Sequence, residues 1–111
     1  MEAVNTLVLQ TLKSVGLPVM RQVYTGSADR YITYQLIHAA DREYQDDAAV
    51  AVEYTFGVDI YTAGPPDNLI SAVKNVLKAA GFQDVTIEGE IFEDETKRYH
   101  IPLQFYYTEV L

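Results

Sequence analysis

An α+β domain is the architecture this sequence predicts: a mainly antiparallel sheet with two helices packed on one face, in the order αβββαββ. Three observations predict it. Val50 to Tyr61 alternates strictly, with Val50, Val52, Tyr54, Phe56, Val58 and Ile60 on one phase and Ala51, Glu53, Thr55, Gly57, Asp59 and Tyr61 on the other. That is a long strand with a buried and a wet side, rising roughly 40 Å at about 3.3 Å per residue. Two other stretches instead repeat their apolar residues at helical spacing. And 111 residues, 49% hydrophobic and without repeat, linker or low-complexity segment, suit a single domain over residues 1–111 around one core.

The elements follow in chain order. Val4, Leu7, Val8, Leu12 and Val15 predict an amphipathic helix over about 2–15, stopped by Gly16 and Pro18. Leu17–Tyr24 reads as a short strand and residues 25–29 (TGSAD) as a turn. Arg30–Ala39 is β-branched and aromatic, a strand with Ile32, Tyr34, Leu36 and His38 on one face and Tyr31, Thr33, Gln35 and Ile37 on the other. Residues 41–47 (DREYQDD) read as a solvated, acidic hairpin loop, and loops often carry recognition.

After the long strand, Pro65-Pro66-Asp67 is a helix entry, and Leu69, Ile70, Val73, Val76, Leu77 and Ala80 mark a helix over about 66–80. Gly81-Phe82 reads as its Schellman-type stop. Val85 to Phe92 is a fourth strand, residues 93–97 (EDETK) a charged turn, and Arg98 to Glu109 a last strand whose apolar phase is Tyr99, Ile101, Leu103, Phe105 and Tyr107. Pro102 lacks a ladder donor, which predicts a sheet edge or a bulge. The expected core places Val52, Tyr54, Phe56, Val58 and Ile60 under Ile70, Val73 and Leu77.

Composition narrows the function classes. With no cysteine, disulfides and thiolate chemistry are excluded. No apolar run approaches the ~20 residues of a membrane span, and the N-terminus has no signal-peptide pattern. Sixteen acids against eight scattered bases, net −8, argue against gripping nucleic acid, which needs clustered Lys and Arg.

No motif has catalytic or phosphate-binding spacing, and no cofactor or metal is expected. His38 and His100 stand in separate strands; His100 needs a carboxylate brought to it in space to become a base. The acids Glu88, Glu90, Glu93, Asp94 and Glu95 suit either a plain exposed hairpin or an oxygen-lined cation or acid–base site. The nine tyrosines are less ordinary. Tyr31, Tyr61 and Tyr106 fall on polar strand phases, which fits either a second packed face or an interface.

The runs RYITYQLI, YTFGVDIYTAG, LISAVKNVLKAAGF and IFEDETKRYHIPLQFYY together resemble the small tail-completion, or tail-terminator, proteins of long-tailed bacteriophages and prophages, over roughly residues 17–108. The resemblance implies a non-enzymatic virion protein, made in the bacterial host cytoplasm and resident in the tail or neck. It implies a ring of identical subunits, commonly a hexamer, at the head-proximal end of the tail tube. That ring stops the tail, contacts the tail-tube protein and a neck or head-completion protein, and lets DNA through without specific binding. Candidate contacts on this reading are Tyr31, Asp41, Glu43, Tyr44, Asp46, Asp47, Tyr61, Glu93, Asp94, Glu95 and Tyr106. Two alternatives stand beside it: a head-side neck adaptor or minor tail component, and an unrelated α+β oligomer using Glu88–Glu95 for a ligand or a reaction.

Overall fold

The computed structural model describes the backbone of residues 1–111 and every side chain except those of Glu43 and Tyr44. Its elements are α1 (Glu2–Lys13), β1 (Val19–Arg21), β2 (Arg30–Gln45), β3 (Ala48–Thr62), α2 (Asp67–Ala79), β4 (Gln83–Ile87), β5 (Ile91–Glu93) and β6 (Arg98–Val110). The predicted α+β order is present, with the fourth strand running as two segments, β4 and β5. One sheet is ordered β1-β2-β3-β6-β4, with β5 also on β6, and only the β1–β2 pair is parallel.

The strand alternation settles which face is covered. Tyr54, Phe56, Val58 and Ile60 are buried on the helix side with Ile32 and Tyr34 of β2 and Ile101, Leu103 and Phe105 of β6. They join Val4, Val8 and Leu12 of α1 and Leu69, Val73 and Leu77 of α2 in one cluster. Val52 and Ile70, expected in that core, are half-buried at its margin. Packing lays α1 toward β1 and β2 and α2 toward β4, the two helices touching each other. The stop of α2 follows its sequence: Gly81, at φ 94°, donates to the carbonyl of Lys78, and Phe82 donates to that of Leu77 while burying its ring. This is the Schellman arrangement, which needs a left-handed residue that glycine supplies without a Cβ clash.

The strand expected over Leu17–Tyr24 shortens to Val19–Arg21, and three further sequence expectations change. Residues 41–45 are not loop but the continuation of β2; the turn is only Asp46-Asp47, both at positive φ (50° and 61°), between the paired Gln45 and Ala48. A two-residue mirror-image turn of this kind matches strand twist, so the hairpin zips to its tip. Second, a bulge between Leu36 and His38 makes Ile37 the extra residue, which places His38 opposite Thr55 and off the face of Leu36. Ile37 folds over Gly57, where a Cβ would stand 3.0 Å from its Cδ1.

Third, Pro102 lies in an interior strand, with β3 on one side and β4 and β5 on the other. Its carbonyl accepts from the Glu88 N–H at 2.8 Å, so its nitrogen faces the same outer side. That is where β4 (ending opposite Leu103) gives way to β5 (beginning opposite His100), a gap at which no donor is required. The molecule extends 54 × 24 × 23 Å, its length set by β2, β3 and β6. Among the described residues no helix is long and apolar enough to cross a membrane.

Candidate functional site

The helices cover one sheet face and leave the other, where Tyr31, Tyr61, Tyr106 and His100 point, without a second layer. Direct cross-strand pairing puts Tyr31 of β2 beside Tyr61 of β3, and Tyr61 beside His100 of β6. Their rings stack: Tyr31–Tyr61 centroids are 4.7 Å apart and Tyr61–His100 4.4 Å. The segment after β1 adds Tyr24, stacked on Tyr31 at 3.9 Å, so four rings form a column across three strands. Tyr24 stays there because its hydroxyl accepts from the Ala28 N–H at 2.9 Å, and because Gly26 has no Cβ to strike that ring.

Carboxylates flank the column's end. The His100 Nε2 donates to Asp59 Oδ1 at 2.7 Å, and Nδ1 lies 3.6 Å from Glu93 Oε2. Asp59 stands two residues from Tyr61 on the same phase, so this is the diagonal neighbour of an antiparallel pair. Arg98 closes the edge with its guanidinium 5.9 Å from the Tyr31 ring centroid, 3.8 Å from the Asp29 carboxylate and within reach of the Asp29 and Ala28 carbonyls. Burial, reinforced by the Asp59 charge, pushes the Tyr61 phenol up to about 12. Burial also raises Tyr31, against the opposing pull of Arg98.

The expected contact residues thus fall into three places. Tyr31, Tyr61 and Glu93 come together at the ring column. Asp94 and Glu95 lie beside it, exposed on the turn between β5 and β6, where they line a cavity of about 390 Å³ with Glu93 and Thr96. Asp41, Asp46 and Asp47 sit exposed at the opposite end of the sheet. Glu43 and Tyr44 share that end by backbone position, with side chains outside the described set. Tyr106 opposes Thr55, six residues along β6 from His100, and joins neither group.

The acids Glu88 to Glu95 do not all converge, although Glu93, Asp94 and Glu95 share the cavity on the β5–β6 turn. Glu88 and Glu90 are exposed between β4 and β5, while Glu93 turns to His100 and to the Thr96 hydroxyl (3.0 Å). Among the described residues no group of three or more His, Cys, Asp or Glu side chains is placed to hold a metal ion.

Asp59, Arg98 and Tyr24 were missed by pattern reading. Asp59 carried a signal in its shared phase with Tyr61, but its meeting with His100 depends on the β3–β6 register. Tyr24 lies outside any strand and carried none. Chemically the arrangement orients an imidazole by a carboxylate and locks the 24–29 segment to the sheet. No family model matches the chain, and no curated protein matches it. Among solved structures it is similar to a chain from the virion of a native gene transfer agent (GTA) particle, at 16% identity over 89% of this chain and 88% of that one, with a TM-score of 0.47. A likeness of that degree carries no argument for family or function.

Proposed function

We infer that this protein is a non-enzymatic structural subunit of a phage-type head–tail joint, one copy in a ring at the head-proximal end of the tail tube that terminates the tail and joins it to the neck. The observation that supports the reading is where the resembling segments lie. RYITYQLI is the start of β2, YTFGVDIYTAG the end of β3, and IFEDETKRYHIPLQFYY is β5, its turn and β6. These strands are neighbours, and together they carry the ring column on the uncovered face. The fourth run, LISAVKNVLKAAGF, is α2 and its stop on the covered face, so the three strand runs carry the uncovered surface and the fourth the layer behind it. Half-buried aromatic rings with polar tips suit subunit contact. A net charge of −8 suits a conduit from which DNA must slide free.

The test is deletion of the gene in the bacterium that carries it, followed by electron microscopy of induced lysates. A tail terminator leaves tail tubes of irregular, excessive length and unjoined heads. Tails of normal length beside unjoined heads favour the neck-adaptor alternative. Normal particles overturn both.

A further inference from the structure

We propose that the acidic tip of the β2–β3 hairpin docks on the lysine-bearing outer face of α2 in a second copy of this chain, making a head-to-tail contact between subunits in addition to any made by the ring column. This rests on the ring reading above and adds the two surfaces to it.

Charge separation carries the argument. The helical layer holds two acids, Glu2 and Asp67, against three lysines, Lys13, Lys74 and Lys78, in a chain whose net charge is −8. Lys74 and Lys78 are one turn apart on α2 and form a single ridge. The hairpin carries the opposite sign. Arg42, the one basic residue of the 41–47 sequence, is engaged by Glu53 across the strands at 3.5 Å. Among the described residues, neither Asp41, Asp46 and Asp47 nor Lys13, Lys74 and Lys78 form an ion pair.

The two surfaces cannot meet within one subunit. The chain leaves α2 and enters β4 opposite Tyr106, whereas β6 continues to Val110 opposite Ala51 and the turn lies beyond that. Counting strand residues at about 3.3 Å each from the Tyr106 level, where α2 hands over to β4, puts the turn roughly 25–30 Å away. The ribbon is also paired to its tip, so it does not fold back. A projecting acidic element and a distant basic ridge on the same chain meet only between copies, and such a heterologous contact generates a ring when its rotation closes.

The contact is one of attraction, so salt weakens it. Like charges gathered around a ring, the simplest expectation from an acidic sequence, would make salt strengthen association instead. Charge reversal decides. Asp46→Lys/Asp47→Lys and Lys74→Glu/Lys78→Glu should each weaken self-association of the purified chain at least tenfold by analytical ultracentrifugation. The quadruple variant should recover it, and an equimolar mixture of the two double variants should associate where neither does alone.

Two lysines in left-handed geometry strain the turn, so the neutral Asp46→Asn/Asp47→Gly variant is measured beside them, with circular dichroism confirming the fold. It too should weaken association. Wild-type association that survives all three charge changes overturns the contact and leaves the ring reading standing. A quadruple variant that folds without recovering overturns the pairing of these two surfaces. A wild-type chain monomeric at millimolar concentration overturns both readings.

Discussion

At the Arg98 end of the sheet, four rings stack across three strands, an imidazole is bound to a carboxylate, and a guanidinium ties the 24–29 segment down. At the Val110 end, β6 stops opposite Ala51 and β2 and β3 run on as a two-stranded ribbon with an exposed aspartate pair at its turn. Both ends are acidic in sequence, yet the acids do different things. Glu93 and Asp59 are spent on His100, inside the molecule's own contacts. Among the described residues, Asp46 and Asp47 form no ion pair. At the first end part of the negative charge is held by His100, with Asp94 and Glu95 exposed beside it; at the second the aspartates are exposed, which is the feature the proposed contact rests on.

The comparison sharpens into a gradient of stability along β3. Phe56, fully buried between the two ends, packs on Phe105 with ring centroids 5.7 Å apart. Phe56→Ala should cost about 3–5 kcal/mol in urea unfolding, the largest effect expected in the molecule. A loss under about 1 kcal/mol would mean that the helix-covered face is not the core.

Next in size is the ring column. Tyr61 stacks on both Tyr31 and His100, and aromatic pairs contribute about 0.5–1.5 kcal/mol each beyond area burial. Tyr61→Ala should therefore cost about 1–3 kcal/mol. Limited proteolysis should at the same time open the 24–29 segment, because Tyr24 reaches the sheet through Tyr31. Unchanged cleavage there would show that the Tyr24–Tyr31 stack, Arg98 and the Ala63 N–H bond to the Asp29 carbonyl hold the segment without Tyr61.

How much of this was legible follows the same line from core to tip. Period-2 alternation in β3 and β6 and helical spacing in α1 and α2 fixed the covered face, because burial enforces those patterns residue by residue. The Schellman stop at Gly81-Phe82 was readable because glycine is the residue that most readily takes the left-handed cap. The extension of β2 to Gln45 was not, since a solvent-exposed ribbon needs no apolar phase and its charges imitate a loop. Nor was the bulge at Ile37, which depends on Gly57 in another strand leaving room. Tyr31 and Tyr61 stood out as aromatics on polar phases. Their union with His100 and Asp59 required the register of three strands, which no local signal specifies.

A subtler difference between the ends appears at high pH. The Tyr61 phenol, raised to about 12 by burial and then by Asp59, holds its proton more tightly folded than unfolded, where its value is about 10. The stabilisation this represents is complete below pH 10 and is lost as pH rises toward 12. Unfolding midpoints should fall across that window, and Tyr61→Phe, which keeps the ring and removes the proton, should flatten the fall. An identical pH profile in wild type and variant would assign the alkaline loss to other groups.

The smallest expected effect on stability is at the ribbon's tip, and it is the most informative. Asp46 and Asp47 occupy positive φ, a region where Asn and Gly sit with less strain than Asp. Asp46→Asn/Asp47→Gly keeps the two-residue turn and its register and deletes two exposed charges. Among the described residues no core contact and no ion pair is lost, so the unfolding free energy should stay within about 0.5 kcal/mol of wild type. Any change should be toward greater stability, because the turn is relieved and the local charge repulsion falls. If the two ends differ as described, this variant uncouples folding from assembly: circular dichroism and urea midpoint unaltered, joined particles in a complemented lysate sharply reduced. A destabilisation above about 1 kcal/mol would show that the tip supports the fold after all, and the contrast between the ends would collapse. Full recovery of infectious particles would instead leave the fold gradient intact and remove the hairpin tip from assembly.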